Sequence, residues 1–92
     1  GGEAADGTAL RAQGLAEGGE EGLETLRESV AVLEGSSARL EHARSLVELG
    51  AALGRANQRS EARELLRQGL DLAVRSGAKP LVERAEQELA AT

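Results

Sequence analysis

The sequence predicts an all-α fold, and three observations lead to this prediction. Residues with high helix propensity (Ala, Leu, Glu, Arg and Gln) dominate the chain, whereas β-branched residues are scarce. Glycine, proline and short polar runs divide the chain into five segments, and each segment carries apolar residues at helical spacing. The chain contains no Phe, Trp or Tyr, so its core has to be built from Leu, Val and Ala.

The five predicted helices cover residues 4–17, 20–34, 38–56, 60–76 and 79–91. The first is the weakest, because Gly7 and Gly14 interrupt it and its apolar stripe consists mostly of Ala. We therefore expect residues 1–19 to be a weakly ordered segment with a short helix. Residues 20–92 are expected to form a single domain of antiparallel helical hairpins, because short loops make neighbouring helices antiparallel.

Local signals predict how these helices begin and end. Gly35 and Gly77 suit the left-handed position that follows a helix. Ser37 and Ser60 are candidate N-cap residues. Pro80 fits a first helical turn, where its missing N–H is not needed.

Composition excludes several classes of function. The net charge is −5, with 16 acidic against 11 basic residues, whereas a nucleic-acid-binding domain is normally basic. The absence of aromatic residues removes the stacking platforms of single-strand binders. No Cys is present for a disulfide or a thiolate metal site, and no apolar run is long enough to span a bilayer. We expect no nucleic-acid contact, no membrane contact, no cofactor and no bound metal.

An internal repeat connects the two halves of the chain at an offset of forty residues. The same unit, a helix followed by a turn into the next helix, is therefore predicted twice. Nine positions are identical in the two copies: Glu21, Glu24, Leu26, Arg27, Ser36, Ala38, Arg44, Glu48 and Leu49 recur as Glu61, Glu64, Leu66, Arg67, Ser76, Ala78, Arg84, Glu88 and Leu89.

The third and fourth predicted helices carry large and small residues in alternation. Two helices pack closely where a residue without bulk faces its partner and large residues fill the grooves on either side. This series resembles the tetratricopeptide pattern, and the resemblance implies a right-handed superhelix of helical hairpins. The chain departs from that family in lacking aromatics and in a spacing above the usual 34 residues or so, and an ordinary antiparallel hairpin is the alternative. The predicted packing residues are Leu46, Leu49, Gly50, Leu53, Ala62, Leu66 and Gly69.

The tetratricopeptide resemblance also implies a partner-binding groove. Its lining on the third helix would consist of Arg44, Val47, Ala51 and Arg55. Family members that clamp a peptide carboxylate carry Asn and Lys at two of these positions, where this chain has Val47 and Ala51. We therefore expect the groove to take an apolar helix rather than a carboxylate.

The second half of the chain contains four strings with a further likeness: LVELGAAL (46–53), SEAR (60–63), LDLA (70–73) and GAKPLVERAEQEL (77–89). Together they resemble the helical-repeat segment of large ATP-binding transcriptional regulators of the LuxR type. In that family the segment follows an ATPase domain and precedes a helix-turn-helix DNA-binding domain. The resemblance implies a cytoplasmic, non-catalytic segment that relays a signal to protein partners or to other domains of the same chain.

Each group of polar residues in the sequence has a functional and a purely structural interpretation. His42, the sole histidine, has no pattern of further ligands and is interpreted as a surface or half-buried residue. Glu17, Glu20, Glu21 and Glu24 could attract a cation or a basic partner, but acidic residues also favour a helix N-terminus. Arg59, Arg63 and Arg67 form a basic stripe, either for an acidic partner or as a solvated face paired with Glu64 and Asp71.

Two other interpretations of the whole chain stay open. A generic helical-repeat scaffold in an unrelated assembly would have the same packing residues, whereas an enzyme is disfavoured because no nucleophile and base are paired. The chain has no Met, and we expect it to be a piece of a longer protein. A repeat unit without its neighbours exposes apolar surface. We therefore expect a homodimer through Leu23, Leu26 and Val30 at one end, or Leu81, Val82 and Leu89 at the other; the competing outcome is a monomer in which the first helix folds back as a cap.

Overall fold

The all-α fold is confirmed by a computed structural model that describes residues 2–92. In this range the chain forms five α-helices and no strand. The helix boundaries lie within one residue of the predicted ones. The helices are α1 (Glu3–Glu17), α2 (Gly19–Glu34), α3 (Arg39–Arg55), α4 (Arg59–Arg75) and α5 (Lys79–Ala91). None of these helices combines the length and hydropathy that crossing a bilayer requires.

Helices α3 and α4 end in the same type of turn. The N–H of Gln58 donates to the carbonyl of Leu53 at 2.9 Å, and the N–H of Ala78 donates to that of Ala73 at 3.0 Å. Each turn has one residue in the left-handed region, Asn57 with φ 62° and Gly77 with φ 67°. The prediction for Gly77 is confirmed, and asparagine tolerates this conformation for the same reason that it favours turns.

Other local predictions were wrong. Gly35 has φ −83° and ψ 0°, so the α2–α3 turn stays right-handed. The N-cap positions of α3 and α4 are Ala38 and Gln58 instead of the predicted serines. A different serine, Ser36, stabilises the α2–α3 turn. Its hydroxyl donates to the carbonyl of Leu33 at 2.9 Å and accepts a hydrogen bond from the N–H of Ala38 at 3.1 Å.

The helices pack in two antiparallel hairpins with a fifth helix beside them. Helices α1 and α2 form the first hairpin, and α3 and α4 form the second, with α2 lying against α3 and α4 against α5. Helix α3 also contacts both α1 and α5, whereas α2 and α4 make no contact closer than 8 Å between Cα atoms in the described chain. Helices α1, α3 and α5 therefore line one side of a molecule of 36 × 31 × 18 Å.

The core consists of leucine and small residues in two clusters. One gathers Leu23, Leu26, Leu49, Leu53 and Ala62, and the other gathers Val47, Leu66 and Ala85. All seven residues predicted to pack α3 against α4 are buried. Gly50 is a point of close approach, because a Cβ atom there would lie 2.6 Å from Leu66 Cγ and 3.2 Å from the carbonyl oxygen of Ala62.

The forty-residue repeat reappears in the positions of the helices. Helix α4 begins forty positions after α2, and α5 begins forty positions after α3. The equivalent N-cap residues Ala38 and Ala78 have nearly the same backbone angles, φ −82° and ψ 70° against φ −89° and ψ 76°. The two copies of the repeat in the sequence therefore correspond to two copies of one structural unit.

Helix α1 differs from the short helix expected at this end of the chain. It has 15 residues, and the two glycines that were predicted to interrupt it are buried against α2. A Cβ atom at Gly14 would lie 2.9 Å from Leu26 Cγ and 3.0 Å from the carbonyl oxygen of Gly22, and one at Gly7 would overlap Leu33. These glycines permit close packing of α1 on α2. The weak order expected of this segment stays a prediction.

Candidate interaction surface

The groove predicted on α3 is not open. Arg44 and Arg55 are exposed, but Val47 and Ala51 are 0% and 3% exposed. Val47 shares a cluster with Leu66 and Ala85, because α5 packs on this part of α3. The prediction that the four residues line one groove was therefore wrong, since the sequence does not show where α5 lies. The two arginines are eleven residues apart on the helix, which corresponds to about 16 Å.

Ion pairs cross the side formed by α1, α3 and α5. Arg11 of α1 reaches Glu41 at 2.7 Å, and Arg84 of α5 reaches Glu48 at 2.8 and 3.1 Å. Arg44 also pairs with Glu41. The hydrogen bond from Arg11 is the main reason that the pKa of Glu41 lies below its ordinary value, although burial opposes the shift. Cations and carboxylates are matched along these contacts.

The opposite side has an ion pair that joins α2 to α4. Both terminal nitrogens of Arg27 donate to the carboxylate of Glu61, one of them at 2.9 Å. The pKa of Glu61 is lowered by this contact, and the pKa of Arg27 is raised by it. Both side chains are about two-fifths exposed, so the pair contributes little to stability.

A cleft lies beside Arg55, between the α1–α2 turn and the end of α3. Its volume is about 310 Å³, and Leu15, Leu23 and Ala52 are among its apolar lining residues. Leu15 is 46% exposed, which is unusual for a large apolar side chain in this molecule. Glu20 and Arg55 bring one charge of each sign to the lining. The cleft can therefore take an apolar side chain from a partner helix with polar flanks of either sign.

A second, more open cleft of about 280 Å³ lies between α3 and the start of α5. Arg44 and Arg84, which are equivalent residues of the repeat, line it together with Ala78, Pro80 and Leu81. Both guanidinium groups already bind carboxylates. An anionic ligand would therefore have to compete with Glu41 and Glu48, so this cleft is a weaker candidate than the one beside Arg55.

Comparison of the chain with models of known protein families, with curated proteins and with solved structures gives no match.

The part of the chain that the structure describes contains no group of three or more His, Asp or Glu residues that could hold a metal ion. His42 is half-buried, and its Nε2 atom has no hydrogen-bond partner in this part of the chain. Burial lowers the pKa of His42, although Glu34 opposes the shift. The lowered pKa favours the neutral imidazole near pH 7, and the half-buried position is one of the two that the sequence predicts for this residue.

Some residues of the acidic cluster and of the arginine stripe have a role within the fold. Glu20 and Glu21 lie in the first turn of α2. Glu17 accepts hydrogen bonds from Thr25 at 2.6 Å and from Gln13 at 3.0 Å, and both lower its pKa. In the stripe, Arg63 donates to the carbonyl oxygen of Thr92 at 2.8 Å. The pairing predicted for Arg67 is not found with Asp71, which instead binds Arg75 at 3.1 Å.

A buried polar network between α1, α2 and α3 was missed by the sequence analysis. Arg11 donates to Ser45 Oγ at 3.1 Å and to the carbonyl oxygen of Glu41 at 3.2 Å. Ser29 Oγ donates to the carbonyl oxygen of Gly7 at 2.6 Å and lies 2.7 Å from Ser45 Oγ. Both serines are 0% exposed. The signal in the sequence was that they interrupt apolar stripes at positions where leucine or alanine would be expected.

Proposed function

We propose that this chain is a non-catalytic protein-interaction segment built as a tetratricopeptide-like array. The observation that supports the proposal most is the forty-residue unit with a glycine at the helix crossing. Gly50 lies against Leu66 and Ala62 in α4, as the tetratricopeptide pattern requires. The order of contacts also fits, because the first helices of successive units pack along one side, whereas the second helices α2 and α4 meet only through the side chains of Arg27 and Glu61.

The wider role that we propose is signal relay in a multidomain transcriptional regulator of the LuxR type. The support is the resemblance of residues 45–92 to the helical-repeat segment of those regulators. An ATPase domain and a helix-turn-helix domain would lie outside residues 1–92. This segment would not contact DNA itself, because its net charge is −5. A cytoplasmic location follows from that class of protein.

The partner surface that we propose is the cleft beside Arg55. Its apolar lining and its two oppositely charged residues suit the edge of an amphipathic helix, either from another domain of the same chain or from a separate protein. A second copy of this chain is a further partner, and the half-buried Leu81, Val82 and Leu89 of α5 are the surface that would support a homodimer.

The coding region of the complete protein tests the wider role directly. A phosphate-loop ATPase upstream and a helix-turn-helix domain downstream would support the regulator. If neither is present, the generic repeat scaffold becomes the better explanation.

Hydrogen exchange of the complete protein tests the partner surface. Amides around Leu15 and Ala52 should be protected in the complete protein relative to residues 1–92 alone. Equal exchange at these amides would refute an intramolecular partner at this cleft.

A further inference from the structure

The first three helices and the last three helices are built on the same plan. Gly14 of α1 lies against Gly22 and Leu26 of α2, as Gly50 of α3 lies against Ala62 and Leu66 of α4. Gly22 and Leu26 are the residues forty positions before Ala62 and Leu66. Gly14 is therefore the spatial equivalent of Gly50, and the joint between α1, α2 and α3 can be compared residue by residue with the joint between α3, α4 and α5.

The comparison shows a difference in chemistry at three equivalent positions. Three residues before each glycine stand Arg11 in the first joint and Val47 in the second. The positions of Ser29 and Ser45 in the first joint correspond to Gly69 and Ala85 in the second. Arg11, Ser29 and Ser45 bond to one another or to backbone carbonyls, whereas Val47 packs directly against Gly69 and clusters with Ala85.

A polar joint opens more easily than an apolar one of the same shape. When α1 leaves, water can replace the hydrogen bonds of Arg11, Ser29 and Ser45, so their loss costs little. Separation of Val47 from Ala85 exposes apolar surface, for which water offers no compensation. Each joint also has an ion pair to α3: Arg84 binds both carboxylate oxygens of Glu48 in the second joint, whereas one nitrogen of Arg11 binds the Glu41 carboxylate in the first.

Helix α1 is itself easy to release. Its interior glycines lower its helix propensity, and its N-terminus has no side-chain cap. It is joined to α2 through Gly18 and Gly19, which both have positive φ, and no atom would lie within 4 Å of a Cβ at either residue. No other group crowds the two glycines, so the connection can turn once the hydrogen bond from Thr25 to Glu17 that spans it is released. Once released, a 15-residue helix of this composition should unfold.

From the polar joint and the free glycine connection we propose that α1 is a detachable strap. It leaves the face formed by α2 and α3 while α2–α5 stay folded. The released state uncovers Leu26 and Leu33, which α1 covers in the closed state. This inference concerns the chain itself and stands whether or not the proposed relay function is correct.

Native-state hydrogen exchange of the full chain, read by mass spectrometry, tests the strap. Amides in the middle of α1 should exchange about a hundredfold faster than those of α3 and α4, because they open without global unfolding. The triple variant Arg11→Val, Ser29→Ala and Ser45→Ala makes the first joint apolar, as the second joint is, and should slow exchange in α1 at least about tenfold relative to α4. Arg67→Val, which removes an exposed arginine outside the joint, should leave the ratio between α1 and α4 unchanged.

Two outcomes would overturn the proposal. One is exchange of α1 at the same rate as α3 and α4 in the parent protein, which would mean that α1 opens only in global unfolding. The other is a folded triple variant whose exchange ratio equals that of the parent. If the triple variant does not fold, the parent measurement alone decides, because it depends on no substitution.

Discussion

The substitution Gly50→Leu tests the crossing of α3 and α4, which is the basis of the repeat unit. A Cβ atom at residue 50 would lie 2.6 Å from Leu66 Cγ and 2.9 Å from Leu66 Cδ2. Carbon atoms pack without repulsion at about 3.5–4.0 Å, so even the first added carbon lies about 1 Å too close. Leu66 is 0% exposed and cannot turn into solvent. The two helices must therefore separate, or Leu66 must leave its rotamer.

The expected loss of stability follows from two opposing contributions. Overpacking of a well-filled core costs about 1–3 kcal/mol, and the remaining carbons of the leucine place the cost toward the upper end of this range. Replacement of an interior helical glycine returns somewhat less than about 1 kcal/mol through helix propensity. We expect a net destabilisation of about 1–3 kcal/mol. At about 4–8 °C per kcal/mol for a domain of this size, the melting temperature should fall by roughly 5–20 °C.

Thermal unfolding followed by far-ultraviolet circular dichroism measures the effect, since the chain has no Trp or Tyr for fluorescence. Gly35→Ala is the matched control. Gly35 has φ −83°, and the nearest atom to a Cβ there would be 3.9 Å away. This change should stabilise the fold by about 0.4–1 kcal/mol through the unfolded state. A melting temperature of Gly50→Leu at or above that of the parent, with the control behaving as expected, would refute the crossing at Gly50.

Four further outcomes are expected. Gly14→Ala should destabilise the fold by roughly 1 kcal/mol in chemical denaturation, because the close contact with Leu26 outweighs the gain in propensity. Arg11 holds the folded-state pKa of Glu41 below its ordinary value of 4.5, so ionised Glu41 stabilises the fold. This stabilisation is present above pH 4.5 and is lost as the pH falls through the lowered pKa. Acid titration of Glu41→Gln, monitored by helicity, should therefore show a smaller loss than the parent, and an equal loss would contradict this role. Titration against labelled duplex DNA at low salt should show no salt-sensitive binding. Sedimentation equilibrium at tens of micromolar should show weak self-association that Leu81→Glu abolishes; a monomer mass for the parent would count against the homodimer.

The helices and their packing residues could be predicted because the sequence encodes them locally. Helical periodicity placed the boundaries within one residue, and the alternation of Leu49, Gly50 and Leu53 marked the buried face of α3. In a chain without aromatic residues, leucine is the main large side chain available to fill the core beside such a glycine. The forty-residue repeat added long-range information, because it required α4 and α5 to copy α2 and α3.

The errors arose where a residue type has two physical uses. Glycine weakens an isolated helix, yet it also permits close packing, and only a neighbour such as Leu26 shows which use applies to Gly14. The same two uses of glycine explain the error at the N-terminal part of the expected dimer surface. Because α1 packs closely on α2, Leu26 is buried, and Leu23 is only 9% exposed. Val47 was assigned to a groove because the sequence does not show that α5 packs on it. The position of α5 depends on long-range contacts that helical periodicity does not predict.

The ion pair between Arg27 and Glu61 links successive copies of the forty-residue repeat. It joins the arginine of one unit to the glutamate of the next. The same two positions recur forty residues away as Arg67 in α4 and Glu21 in α2. A tandem duplication of residues 19–58 would supply a new glutamate for Arg27 and a new arginine for Glu61. An insertion of another length would move the arginine and the glutamate of neighbouring units out of register with each other.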